Sequence, residues 1–306
     1  MEKRETPVIA IVREDGKGEQ NPSFVIDGSR WALEYDGLEN FDGIDYEVSS
    51  QDWAQYDGAR LLSERSGPVD RTIVCRSMLD GDAARREAER FFIARRSYSI
   101  HVQYAGRARY CVGRQYGFRL ETKPWRGHQG VTWTLLALDP YWLSEDEKRF
   151  DLTEAEGKRG FPHCSYVLRE GVGSAFPHVA GFAIGNIRKE IWMENAGGAT
   201  CYPRFDVSAT GDVVDPVVTI VDEAGNELMH VALAVDLHAG DEFAIDFSTR
   251  PTSIVLNGQN ASHLVKAGST LAAGIEPGRF KVEWSADEGD AALAILPSIR
   301  ERYASI

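Results

Sequence analysis

Basic charge, cysteine and long apolar runs are what this sequence lacks. Across 306 residues, 34 Lys and Arg face 47 Asp and Glu, a net charge of −13. Coating nucleic acid requires a basic footprint to neutralise phosphates, so the charge balance argues against a nucleic-acid partner. The four cysteines, Cys75, Cys111, Cys164 and Cys201, lie about 35 to 55 residues apart with no CxxC pair. That is neither a zinc pattern nor a disulfide scaffold, and all four are read as reduced, mostly buried thiols. No window offers the roughly 18 uninterrupted apolar residues that a spanning helix needs. The opening MEKRETPVIAIVREDG has too short an apolar core for a secretory signal. Synthesis in the cytoplasm without a signal peptide, and no membrane insertion, are expected.

Signatures of chemistry are missing as well. The P-loop GxxxxGK(S/T), HExxH, GxSxG and a strand-coupled GxGxxG are all absent. The seven histidines, His101, His128, His163, His178, His230, His238 and His263, never cluster at metal-ligand spacing. His163 beside Cys164 comes nearest and is too little for a metal site. No cofactor, metal or catalytic residue is expected.

What is present is an ordinary water-soluble composition, 43% hydrophobic and 26% charged, with a mean hydropathy of −0.32. At roughly 150 residues per domain the length implies two domains. Alternation dominates the first half. Trp31, Leu33 and Tyr35, then Ile44, Tyr46 and Val48, put apolar side chains on every second residue, one face of a strand. Half-buried strands are expected there and at 72–76, 98–106, 107–113 and 131–138, with Asp-Gly, Gly-Arg and Gly-Pro turns between them. The strong helical pattern is DGDAARREAERFFIARR at 80–96. Asp82 is the expected N-cap, and Ala83, Glu87, Arg90 and Phe91 the expected stripe, ending in Phe91 and Phe92. SEDEKRFDLTEAEGKRG at 144–160 is charged and aperiodic and reads as a linker or surface insertion. Strands return at 181–186, 190–195, 202–210, 215–222, 242–248, 253–258, 279–286 and 292–296. The expected fold class is mainly all-β: two β-sandwich domains, 1–143 and 163–306, joined by the charged segment 144–162, the first with a single packed α-helix.

Three sets of side chains are candidates for function. Carboxylates such as Asp212, Asp215, Asp241 and Asp246 are numerous enough to include a glycosidase pair, though spacing singles out none. Trp192 and Trp284 are candidate carbohydrate-binding residues, with a core role in alternating strands as the alternative. Arg85, Arg86, Arg90, Arg95 and Arg96 are a candidate subunit interface, with a merely solvated helix face as the alternative. Charge is also segregated along the chain: residues 1–59 carry −9 and residues 60–126 carry +8.

Taken in order, the segments resemble one family. In the first half these are WALEYDGLENFDGIDYEV (31–48), DGARLLSER (57–65), VDRTIVC (69–75), RFF (90–92), YSIHVQYAGRARYCVG (98–113) and LDPYW (138–142). In the second they are ENAGGATCYPRFDVSATGDVVDPVVTIVDEAGNEL (194–228), LHAGDEFAIDFSTRPTSIVLNGQN (237–260) and RERYASI (300–306). The whole resembles the distal tail protein (Dit) family of long-tailed phages with non-contractile tails, and related prophage tail components. That resemblance implies a first domain forming a hexameric ring at the distal end of the tail, and a galectin-like β-sandwich for the second. It implies a non-catalytic hub in the virion, with the tail tube protein on one side and the tail-tip or tail-associated lysin protein on the other. In many phages such a hub also carries receptor-binding proteins. The chain departs from the leanest members at 144–192. A carbohydrate-binding adhesion module acting in host cell-wall recognition is the alternative function, and a glycan-cleaving enzyme the third.

A ring joins one patch of a subunit to a different patch on the next, which suits segregated charge. Rim ion pairs are worth about 0–1 kcal/mol each and are screened by salt. Sedimentation of the first domain is expected to show its oligomers giving way to smaller species as salt rises. An unchanged distribution would contradict placing the two charge blocks across the subunit contact.

Overall fold

The computed structural model describes residues 6–14, 21–53, 57, 59–78, 81–122, 127–150, 190–249, 251–272 and 274–306. The chain divides into two units, Met1–Asp146 with Arg302–Ile306, and Glu147–Glu301. The last five residues thus return to the first unit, which a linear reading assigned to the second. Most of the charged segment, the strand expected at 181–186, and Cys164, His163 and His178 lie outside the described residues.

Unit one contains β1 (Val8–Arg13), β2 (Ser23–Ile26), β3 (Trp31–Glu39), β4 (Tyr46–Asp52), β5 (Ala59–Ser66), β6 (Val69–Ser77) and α1 (Gly81–Phe91). After the helix come β7 (Ser97–Tyr104), β8 (Arg107–Leu120), β9 (Gly130–Ala137) and β10 (Trp142–Ser144). Unit two contains β11 (Lys148–Arg149), β12 (Glu190–Asn195), β13 (Arg204–Ala209), β14 (Val213–Val214), β15 (Val217–Asp222) and β16 (Glu227–Ala232). It continues with β17 (Asp236–Leu237), β18 (Glu242–Asp246), β19 (Ser253–Leu256), β20 (Gln259–Asn260), β21 (Gly278–Ser285) and β22 (Leu293–Ile299). The last strand, β23 (Arg302–Tyr303), belongs to unit one.

In unit one the strands run β2-β1-β7-β8-β9-β6-β3, with β10 bonded to both β8 and β23. Strands β2 and β3 stand at the two ends of that order, yet only residues 27–30 separate them. Ser29 donates its backbone N–H and its hydroxyl to Asp27 Oδ1 (2.9 and 2.6 Å), and Gly28 N–H donates to the Trp31 carbonyl (2.9 Å). A four-residue turn cannot bridge a flat sheet seven strands wide, so the sheet curls until its outer strands approach, enclosing a core.

Aromatic side chains fill that core. Phe92 lies 5.0 Å from Phe24, 4.9 Å from Phe91, 5.1 Å from Phe118 and 5.4 Å from Trp133, centroid to centroid. Helix α1 seals one side. Its buried face is Gly81, Ala84, Ala88 and Phe91, a spacing of three and four residues. The expected stripe of Ala83, Glu87 and Arg90 is therefore out of register: Ala83 and Arg90 are exposed, and Glu87 is half-buried and bonded to Arg30 (2.8 Å). Asp82 lies inside the first turn rather than capping it, where its charge still favours the helix dipole. Gly81 is required at its place, because a Cβ there would sit 2.5 Å from the Gly127 carbonyl oxygen. At the other end Arg13 donates to the Arg90 and Phe91 carbonyls (3.2 and 3.1 Å), satisfying acceptors that the helix leaves open. The buried Tyr98 hydroxyl holds the exit, accepting from Ile93 N–H at 2.7 Å and lying 3.1 Å from the Phe91 carbonyl oxygen.

Unit two is a sandwich. A six-stranded sheet, β11-β22-β13-β18-β19-β20, and a four-stranded sheet, β12-β21-β15-β16, share one core that includes Phe205, Phe243, Ile220, Phe280 and Val282. Strands β12 and β13 show the clean alternation of half-buried strands. The mainly all-β class with a single packed helix is what the described residues show.

Candidate functional site

Strand β4 alternates as the sequence led one to expect, but its apolar face stands exposed, touched among the described residues at Tyr46, which bonds to Tyr141. It pairs with β5 alone, and every residue of the two strands is exposed except the half-buried Ser66. The register puts Val48 opposite Glu64 and, past a bulge, Ser50 opposite Leu61. Tyr46, Val48 and Ser50 share one face by the period of two, and Leu61 joins them. Val48 is 60% exposed and Leu61 57%. The expectation of a half-buried strand at 44–48 fails here. Alternation reports an apolar face and says nothing of what lies against it.

The root of this ribbon is fixed firmly. Arg71 on β6 is wholly buried, donates to the Asn40 carbonyl (2.7 Å) and the Pro140 carbonyl, and lies 4.1 Å from the Trp142 ring. Burial pulls its pKa below the ordinary arginine value, opposed by Cys111 and Asp139. Asn40 reaches back to the Asp70 carbonyl (2.7 Å), and Phe41 packs 5.2 Å from Trp142. Both chain segments leading into the ribbon are thereby tied to the core. Beside them lies an open pocket of about 490 Å³ whose lining includes Asp42, Asp45, Glu47 and Asp70 and no Lys or Arg. Glu47 is bonded to Arg65 (2.7 Å), while Asp42 and Asp45 stand exposed.

The five candidate arginines do not share one helix face. Arg95 and Arg96 lie beyond the end of α1, in the turn before β7, with Arg95 at φ +64°. Arg85 turns to Glu89 (3.0 Å). Arg86 and Arg90 share an exposed helix face, and with Arg13 and Arg30 they border a groove of about 520 Å³ floored by Pro22, Ala83 and Phe91. The sequence reading missed Arg13 and Arg30, which lie in the acidic first block and come to the helix only through the curl of the sheet.

The enzymatic and sugar-binding candidates fare differently. Trp284 is 3% exposed in the core of unit two, so no sugar reaches it, and its assignment as a binding residue is corrected to packing. Trp192 is exposed on β12, but Arg279 and Lys281 lie 5.5 and 5.8 Å from its ring. A hydrogen bond from Lys266 holds Asp215 below the usual aspartate range, and the His238 backbone N–H and Asn257 do the same for Asp241. A general acid needs the opposite shift. Asp212 is bonded to His238 (2.9 Å), and Asp246 accepts from Ser248 (2.6 Å).

Unforeseen from sequence is a serine, histidine and glutamate in line: Ser99 Oγ lies 2.8 Å from His101 Nε2, and His101 Nδ1 meets Glu145. The likeness to a catalytic triad is superficial. Ser99 is buried, and its hydroxyl already donates to Glu14 Oε1 (2.9 Å) rather than to the histidine, unlike the nucleophile of a triad. The cluster ties the end of β1 to β7 and to the segment after β10. Among the described residues no group of His, Cys, Asp and Glu is arranged to hold a metal. Cys75, Cys111 and Cys201 are buried, and burial pushes the Cys75 and Cys111 thiols up to about 12. No helix among the described residues is long and apolar enough to cross a membrane.

Neither a family model nor a curated protein matches the chain. Solved structures do. The SPP1 Dit protein, described as a paradigm of the hub adsorption apparatus of phages infecting Gram-positive bacteria, superposes with a TM-score of 0.61 at 12% identity. The match covers 96% of this chain and 98% of that one. The phage P2 baseplate in its activated conformation with Ca follows at a TM-score of 0.58 and 8% identity, over 99% of this chain and 100% of that one. The same baseplate with Sr matches equally well. At such identities the likeness establishes a shared fold over nearly the whole length. The Dit-like architecture implied by the sequence resemblance is the architecture the chain has.

Arg71→Met is expected to leave the buried Pro140 carbonyl and the part-buried Asn40 carbonyl without this donor, destabilising the protein by about 2–3 kcal/mol. Urea unfolding measures this directly. An unchanged midpoint would show that the ribbon's root is held by other contacts.

Proposed function

We propose that the chain is a structural hub of a phage tail tip, self-associating as a ring through unit one, without catalysis. The ring is read as hexameric, joining the tail tube to the tail-tip apparatus, with the sandwich of unit two available to further tail proteins. The observation that carries this reading is the uncovered ribbon of β4 and β5. Two strands with no third strand and no core beneath them are marginal in water, and exposed contiguous apolar side chains mark contact surfaces. An anchored root with a bare shaft suits an arm that is completed by another protein molecule. The shared fold with SPP1 Dit and a phage baseplate supports the hub reading. Exclusion of water from a reactive centre plays no part in such a role; broad complementary surfaces do.

Mass photometry or sedimentation velocity of the whole chain tests the reading. The unaltered protein is expected to form a closed oligomer. V48D combined with L61D is expected to shift it toward monomer by at least tenfold in midpoint concentration, with its melting temperature nearly unchanged because both sites are exposed. Unimpaired assembly of that variant would remove the ribbon from the contact.

A further inference from the structure

Strands β3 and β6 form an antiparallel pair with Trp31 opposite Ser77 at one end and Glu39 opposite Thr72 toward the other. Arg30 precedes Trp31, and α1 begins four residues after Ser77, so the basic groove sits at the first end. Asn40, Asp42 and Asp45 follow Glu39, and Val69 and Asp70 open β6, so the acidic pocket sits at the second. At about 3.3 Å per residue, the eight steps from Val69 to Ser77 span roughly 26 Å. That exceeds two Debye lengths at physiological salt, about 8 Å each. The two patches therefore cannot neutralise one another within one molecule.

We infer that the α1 groove is the docking site for the acidic ribbon root of a second copy of this chain, with Arg86 and Arg90 facing Asp42 and Asp45. This rests on the hub reading and names the contact on which its ring is built. Charge complementarity argues for that occupant. The groove is bordered by four arginines, of which Arg30 is bonded to Glu87 and Arg13 to the helix end. Arg86 and Arg90 have no ion pair among the described residues and remain available. The acidic pocket offers carboxylates without a lining cation. Its neighbours Ile44 and Tyr46 are apolar and at least partly exposed, matching the groove floor of Pro22, Ala83 and Phe91. Two different patches at opposite ends of a rigid strand pair make a heterologous contact, the kind that propagates and closes into a ring when the rotation allows. The exposed strands β4 and β5 would then lie along the neighbour, which covers their apolar face.

Two full-length variants test this, R86E with R90E, and D42R with D45R. All four side chains are exposed, and equal melting temperatures confirm folding. Each variant alone is expected to lose oligomer by at least tenfold in midpoint concentration at low salt. Mixed one to one they are expected to recover it, because in an alternating ring every groove again meets a pocket of opposite charge. Normal assembly of either variant alone, or failure of the mixture to recover, overturns the contact while leaving the hub reading standing. An unaltered chain that stays monomeric at every concentration at low salt overturns both. Recovery on adding a different acidic tail protein, but not on mixing the two variants, assigns the groove to that protein and also overturns the contact.

Discussion

A β-ribbon that pairs with no third strand among the described residues sets the terms for the rest of this molecule. Among the described residues its backbone bonds close between β4 and β5, and Val48 and Leu61 stand more than half exposed while Tyr46 touches unit one through Tyr141. Such an element is kept in place by its root. That explains an otherwise costly feature, an arginine buried completely, with its charge offset by two carbonyls, an indole face and the nearby Asp139 carboxylate. Arg71 reaches both the segment before the ribbon and the one at Pro140, so the two are set against the same strand. Rigidity at the root lowers the entropy lost when the shaft meets a partner.

The strand pair β3 and β6 acts as a spacer. It carries an acidic pocket at one end and a basic groove at the other, too far apart to cancel. The chain's excess of acid is thus distributed rather than uniform. The block of +8 and the block of −9 visible along the sequence become two sites only after the sheet brings Arg13 and Arg30 to the helix. What alternation and charge counting showed as a bulk property is, in three dimensions, a polarity along one direction of unit one.

Much of the fold was legible. The strands around Trp31, Ile73, Ile100, Cys111 and Trp133 announced themselves by period-two alternation, and the helix at 81–91 by the helical pattern of DGDAARREAERFFIARR at 80–96. The helix register was missed, because the expected stripe ran from Ala83 through Glu87 and Arg90, whereas the apolar i, i+4, i+7 set is Ala84, Ala88 and Phe91, the face that is buried. The fate of the two tryptophans was not legible: Trp192 and Trp284 both lie in alternating strands, and parity alone does not say which face the second sheet covers. The ribbon gave the most misleading signal. A strand whose apolar face is left exposed writes the same pattern as one that packs on its own core. Short strands such as β23 carry too few residues for any period, and its return to unit one is fixed by pairing with Trp142 and Leu143.

Hydrogen exchange over residues 46–66, compared between dilute monomer and assembled protein, bears most directly on the claim that this ribbon exists to be covered. The account predicts rapid exchange at its outward-facing amides in the monomer and strong protection on assembly, while the amides of β7 and β9 stay slow in both. Protection already complete in the monomer, or no gain on assembly, would contradict it.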